Sequence, residues 1–152
     1  MVQKRDKIIG MAFLVVLSMS CVYVLSGSEG SNFRNSASVT WMWNDYNSAV
    51  EKAEKENKYI LIDFWAVWCT ECKEMDKEAF ESLHVRNLLK DFVLLKVDVD
   101  EIPQVRSQFR VGGLPVLIVV TPDGEEVARA VGYQTPDEVQ KFLQEVLNQQ
   151  GL

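Results

Sequence analysis

Two cysteines with two residues between them, Cys69 and Cys72, stand in the stretch Trp65-Ala66-Val67-Trp68-Cys69-Thr70-Glu71-Cys72-Lys73. Such a pair serves as a structural disulfide, as half of a soft-metal site, or as a dithiol that exchanges electrons with other sulfurs. A loop this short restrains little of the unfolded chain, so a structural disulfide here contributes only about 1 to 2 kcal/mol by loop entropy. Zinc or an iron–sulfur cluster takes about four soft ligands. The domain around the pair offers only these two cysteines and one histidine, His84, on a different predicted element, where it reads as a surface or cap residue. No metal is expected, and a redox dithiol is the reading the pair supports best.

The elements that must position the two sulfurs are legible nearby. "YILIDFW", residues 59–65, has almost no polar alternation and reads as a central strand covered on both faces. Helical spacing through Met75, Ala79, Phe80 and Leu83 begins just after Trp68, which puts Cys69 at or near a helix start and Cys72 one turn on along the same face. Unpaired amides and the helix dipole favour a thiolate at the start of a helix, so Cys69 is expected to have a lowered pKa and to attack, with Cys72 deeper and resolving.

The rest of the chain supplies an α/β domain. Residues 44–57 read as a helix capped by Asn44, with Tyr46, Ala49, Val50 and Ala53 on one face, and a short helix is predicted from about Val85 to Lys90. "FVLLKVDVD" is a second strand, and Pro103 starts a short helix with Asp100 as its predicted cap. "GGLPVLIVVT" and "EVARAVG" pair as a hairpin across the turn "PDGE". Thr135-Pro136-Asp137-Glu138 is a capping box opening a last helix whose stripe is Val139, Phe142, Leu143, Val146 and Leu147. The order α, β, α, β, α, β, β, α implies parallel crossovers between the early strands and an antiparallel edge from the hairpin.

Residues 1–27 read differently. A basic start, "MVQKRDK", precedes an uncharged run from Ile8 to Leu25, long enough for a membrane anchor and longer than the core of most cleaved signals. Lys4, Arg5 and Lys7 place the amino terminus in the cytoplasm and the domain outside it, on the periplasmic side of the inner membrane. Cleavage near Ser26 or Ser28, or lipidation at Cys21, are alternatives that leave the domain on the same side. Residues 28–38 read as a flexible linker and 39–152 as the domain. The formal charge is −6 for the whole chain. Residues 1–27 carry +2 of this, from Lys4, Arg5 and Lys7 against Asp6, leaving −8 for the remainder, which argues against nucleic acid as a partner.

"ILIDFWAVWCTECK", together with "VGGLP" before the strand "VLIVV", resembles the thioredoxin superfamily over most of residues 44–149. Within it, "CKEMDKEAF" and "VTPDGEEVARAVGY" are most similar to the carboxy-terminal domain of DsbD-type thiol:disulfide interchange proteins and related exported thioredoxin-like reductases. The resemblance implies a thioredoxin fold with a central mixed sheet flanked by helices and no cofactor beyond the Cys69–Cys72 pair. It gives Cys69 the attacking role, Cys72 the resolving role, and Leu114 and cis Pro115 a place beside the dithiol where they pair with an extended substrate. An ordinary trans proline is the alternative. Trp68 would flank the site, as would Trp65, for which core packing is an equal reading.

In the family the carboxylate matching Asp63 lies behind the resolving cysteine and moves its proton, and Lys96 matches the lysine beside it. Burial should raise the Asp63 pKa, as suits a general base, unless the side chain reaches water at a strand end. Thr70 and Glu71 replace thioredoxin's Gly-Pro, a spacer that tunes redox poise. The function implied is thiol:disulfide exchange with extracytoplasmic protein partners, more as a reductant, fed by an upstream membrane or periplasmic electron donor. A peptide-binding or chaperone module and a dedicated apocytochrome c or copper-site thiol reductase are the alternatives.

Overall fold

The computed structural model describes residues 39–150; the segments read as anchor and linker, with Cys21, lie outside them. The elements are β1 (Met42–Trp43), α1 (Tyr46–Glu56), β2 (Ile60–Trp65), α2 (Thr70–Met75) running into a π-helical turn (Asp76–Phe80), α3 (Leu83–Leu89), β3 (Val93–Asp98), α4 (Pro103–Gln108), β4 (Val116–Val120), β5 (Glu126–Val131) and α5 (Pro136–Gln150). Among the described residues no helix is long and apolar enough to cross a membrane.

The five strands form one mixed sheet in the order β1-β3-β2-β4-β5. β1, β3 and β2 are parallel, while β4 is antiparallel to β2 and β5 antiparallel to β4. β2 and β3 lack polar alternation because helices cover both faces. On one face Ile60, Ile62 and Phe64 pack with Ala49 and Ala53 of α1 and with Phe109 and Val111 after α4. On the other, Leu61, Leu94 and Leu117 pack with Met75 and Phe80, Val85 and Leu89 of α3, and Val139, Leu143 and Val146 of α5.

Four local features differ from the sequence reading. β1 is too short to leave a periodic pattern, and its pairing with β3 comes entirely from tertiary context. Asn44 does not cap α1. Asp45 does, accepting from the Ser48 N–H at 3.0 Å, while Asn44 adopts a left-handed φ of 56°. Asp100 does not cap α4 either: Ile102 occupies that position without a side-chain cap, and Pro103 as the first helical residue removes one of the amides a cap would serve. The helix after the dithiol is also not α throughout, since a π turn takes over at Asp76.

The capping box of α5 forms as predicted. Thr135 Oγ1 accepts from the Glu138 N–H at 3.4 Å, and the Glu138 carboxylate accepts from the Thr135 N–H at 2.8 Å. Thr135→Ala is expected to lower stability by about 1 kcal/mol, read as an earlier urea midpoint with an unchanged slope.

Candidate functional site

β2 ends at Trp65 and delivers the chain into a tight turn in which the Cys69 N–H donates to the Ala66 carbonyl at 3.0 Å. Cys69, extended at φ −76° and ψ 104°, is the N-cap of α2. Its Sγ is bonded to that of Cys72, with 5.3 Å between the Cα atoms, and the same Cys69 sulfur accepts the Cys72 N–H at 3.1 Å. Cys72 is the deeper sulfur, 1% exposed against 5% for Cys69. Thr70 and Glu71 of the spacer are exposed. Val67 and Trp68 stand out from the surface at 63% and 66% exposure, although Trp68 is not loose: its Nε1 donates to Asp100 Oδ2 at 2.7 Å.

The register of the sheet brings a second segment to this end. Phe64 of β2 faces Val116 of antiparallel β4, so Leu114 and Pro115 lie beside the chain that leads to Cys69. The Leu114–Pro115 peptide is cis. Leu114 packs against the cluster that contains both cysteines, and the Pro115 carbonyl accepts from the N–H of Gly132, whose φ of +85° favours glycine.

A buried charge cluster joins β2, β3 and the π-helical turn after α2. Asp63 and Lys96 are partners across the β2/β3 register, and their side chains, 1% and 5% exposed, meet at 2.5 Å. Lys96 Nζ also contacts Asp76, and it lies 4.9 Å from the Trp41 ring centroid and 5.3 Å from that of Phe80, with Trp43 and Trp65 each at 5.8 Å. Asp63 does not reach water at a strand end. Burial, opposed by Lys96 and assisted by the Asp76 charge, pushes its pKa up to about 6. Asp76 follows Cys72 by four residues and its N–H donates to the Cys72 carbonyl, so Cys72 and the Lys96 contact share one helix face.

Trp65 is partly buried, packs on the core and meets Trp43 edge-on. His84 is exposed on α3. Three contributors escaped the sequence reading. The four-residue offset from Cys72 was a usable signal for Asp76. Asp100, read as a cap, orients Trp68 instead. Asn44 accepts from the Asp98 N–H at 2.8 Å and donates to the Glu101 carboxylate, tying β1 to the loop that carries Asp100. Among the described residues no group of three or more His, Cys, Asp or Glu is arranged to hold a metal ion.

A dithiol at a helix start, beside a cis-proline loop on a five-stranded mixed sheet, defines a thiol:disulfide oxidoreductase of thioredoxin type. The chain belongs to the thioredoxin family, whose model, described as Thioredoxin, matches residues 38–145. It is similar to the thiol:disulfide interchange protein DsbD of Vibrio cholerae, 38% identical over 114 residues, which are 71% of this chain and 18% of that protein. The chain therefore spans less than a fifth of that relative's length. The thioredoxin of Alicyclobacillus acidocaldarius is 33% identical over 99 residues, 64% of this chain and 90% of its own length.

Among solved structures, a thioredoxin from Thermus thermophilus superposes with a TM-score of 0.65 at 28% identity, covering 73% of this chain and 90% of that one. The reduced carboxy-terminal domain of DsbD from Neisseria meningitidis gives 0.58 at 26% identity, covering 70% and 98%.

Proposed function

We propose that this protein reduces disulfides in extracytoplasmic proteins, from a domain (residues 39–152) that residues 8–25 hold at the periplasmic face of the inner membrane by way of a linker over 28–38. The observation that carries the chemistry is the Cys72 N–H aimed at Cys69 Sγ, an amide placed to stabilise a thiolate on that sulfur.

In a turnover the Cys69 thiolate attacks one sulfur of a partner disulfide. A mixed disulfide forms and the partner's other sulfur leaves as a thiolate. Asp63, held by Lys96, which also pairs with Asp76, takes the proton from Cys72. The Cys72 thiolate then attacks Cys69 Sγ, closing the Cys69–Cys72 bond and releasing the partner's second thiolate. Two electrons have passed to the partner, and the oxidised pair seen here is the product state. Return to the dithiol takes two electrons from an upstream membrane or periplasmic dithiol donor, and no further cofactor takes part.

Trp68 and the Leu114–Pro115 segment hold the partner. The backbones of Gly112, Gly113 and Leu114 form no hydrogen bond among the described residues, leaving donors and acceptors for an extended partner strand. Thr70 and Glu71 set the redox poise, Glu71 by placing a negative charge beside the sulfurs. The DsbD relatives and the Lys96–Asp63 pair favour a reductant.

Cys72→Ala tests the proposal. With the resolving sulfur gone, the variant is expected to accumulate mixed disulfides through Cys69 with exported proteins and with its donor, visible as thiol-sensitive adducts on a non-reducing gel. An extracytoplasmic extract that yields no adduct ends the client reading.

A further inference from the structure

The bonds that hold Trp68 do not end at Asp100. Asp100 is exposed in the turn between β3 and α4, where a free carboxylate would sample several positions. Its own N–H donates to Asp98 Oδ1 at 3.0 Å, and Asp98, at the end of β3, is buried. The Asp98 N–H donates in turn to Asn44 Oδ1 at 2.8 Å, and Asn44 Nδ2 donates to the Glu101 carboxylate. One side chain, 54 positions earlier in the sequence, therefore grips the turn on both sides of Asp100.

Asn44 is suited to that task in three ways. It follows β1, and its N–H donates to the Lys96 carbonyl at 2.9 Å, so its backbone is fixed to β3. Its φ of 56° lies in the left-handed region, which glycine enters freely and asparagine tolerates better than most residues. Glycine would serve if the position had only to turn the chain. The carboxamide adds an acceptor and a donor on one group, and here the acceptor takes a backbone N–H while the donor meets a carboxylate.

We infer that Asn44 is a positioning residue for exchange with protein disulfides: by bracing residues 98 and 101 it holds Asp100 where the Trp68 indole can bond to it. This rests on the reaction proposed above, in which Trp68 helps to hold the partner. Trp68 is 66% exposed, so the bond to Asp100 is what keeps its ring in one orientation before a partner arrives. Without the brace that ordering falls at the moment of binding, where immobilising one side chain costs about two- to tenfold in affinity. A small disulfide, which needs only the sulfur to be reachable, does not incur that cost.

The test uses Asn44→Gly, which keeps the left-handed turn and removes both side-chain bonds, and Glu101→Ala, which removes one of them at an exposed residue and carries the test where Asn44→Gly unfolds. Each is made in the pre-reduced full-length protein and again with Trp68→Phe, and rates are read on insulin and on hydroxyethyl disulfide. With Trp68 present, insulin reduction is expected to fall about three- to tenfold for Asn44→Gly and about twofold for Glu101→Ala. Hydroxyethyl disulfide should be reduced within about twofold of wild type by both. With Trp68→Phe, neither substitution should lower the insulin rate further, because residues acting through one bond are not additive. The Trp68 indole N–H, identified in nitrogen-15 spectra by its loss in Trp68→Phe, should exchange faster with solvent in both variants. Wild-type insulin rates overturn the inference, as do an equal loss on both substrates, the same loss with and without Trp68, or unchanged indole exchange. Trp68→Phe at the wild-type insulin rate overturns instead the holding role of Trp68, and a wild-type protein that reduces neither probe overturns the exchange reaction, each taking the inference with it.

Discussion

Cys69→Ser is expected to abolish disulfide exchange, lowering the rate on any disulfide substrate by at least about three orders of magnitude, the scale seen when an attacking nucleophile is removed. A serine hydroxyl at this position keeps the cap, because its oxygen accepts the Cys72 N–H as the sulfur does, and Ser is a preferred N-cap residue. The fold should therefore survive. What is lost is ionisation: an alcohol cannot become an anion near neutral pH, so neither the amide nor the helix dipole has a charge to stabilise. Stopped-flow reduction of insulin by Cys69→Ser and by Cys72→Ser separates the two sulfurs. The Cys72 variant should still show a first attack and stall there. If Cys69→Ser retains more than a few per cent of wild-type activity, Cys72 is the nucleophile, and the roles assigned from depth and cap position are reversed.

The second large effect falls on Asp63, and it has two signs. Asp63→Asn in the oxidised protein is expected to be more stable than wild type at pH 7 and equal to it near pH 3. The folded-state pKa is raised to about 6 from an ordinary 3.8, chiefly by burial, so the folded protein holds this proton more tightly than the unfolded chain does. Stability linked to Asp63 is therefore fully present below about pH 3.8 and is lost as pH rises through about 6. A rise from 3.8 to about 6, at about 1.4 kcal/mol per unit, makes the loss at pH 7 about 3 kcal/mol. Asparagine stands in for the protonated acid and escapes that loss, with Asp76 remaining to pair Lys96.

The same substitution should slow resolution. Asn accepts no proton, so the attack of Cys72 on the mixed disulfide is expected to fall at least about tenfold, within the range general-base removal produces, and its inflection near pH 6 should vanish. Urea titrations at pH 3.5 and 7, with the rate of mixed-disulfide decay from pH 5 to 8, check both halves. A variant that is more stable but resolves at the wild-type rate would leave Asp63 a costly buried charge with no part in the proton's path.

Much of this site was readable from residue types and spacing. Two cysteines one helical turn apart, soon after the strand "YILIDFW", put Cys69 at a helix start, where the structure makes it the N-cap, and Cys72 one turn deeper. Asp63 announced itself by being charged inside "ILIDFW", and the buried strand bears that out. The capping box of α5 needed only local bonds, so four residues sufficed to declare it.

What required the folded chain is whatever joins distant segments. β1 exists because β3 lends it an edge, so Met42 and Trp43 have no pattern of their own. Asn44 and Asp100 are both good caps by composition, yet each has a better partner far along the sequence, Asp98 and Glu101 for one and Trp68 for the other. The cis peptide at Pro115 and the ring of aromatic side chains about Lys96 likewise come from the way β2, β3, β4 and the helix after the dithiol are brought together. Sequence marked which groups have the chemistry to react, since ionisation and burial cost belong to the residue and its immediate run. Tertiary structure decided what each polar group is bonded to, because partners far apart in the chain compete on distance, which only packing sets.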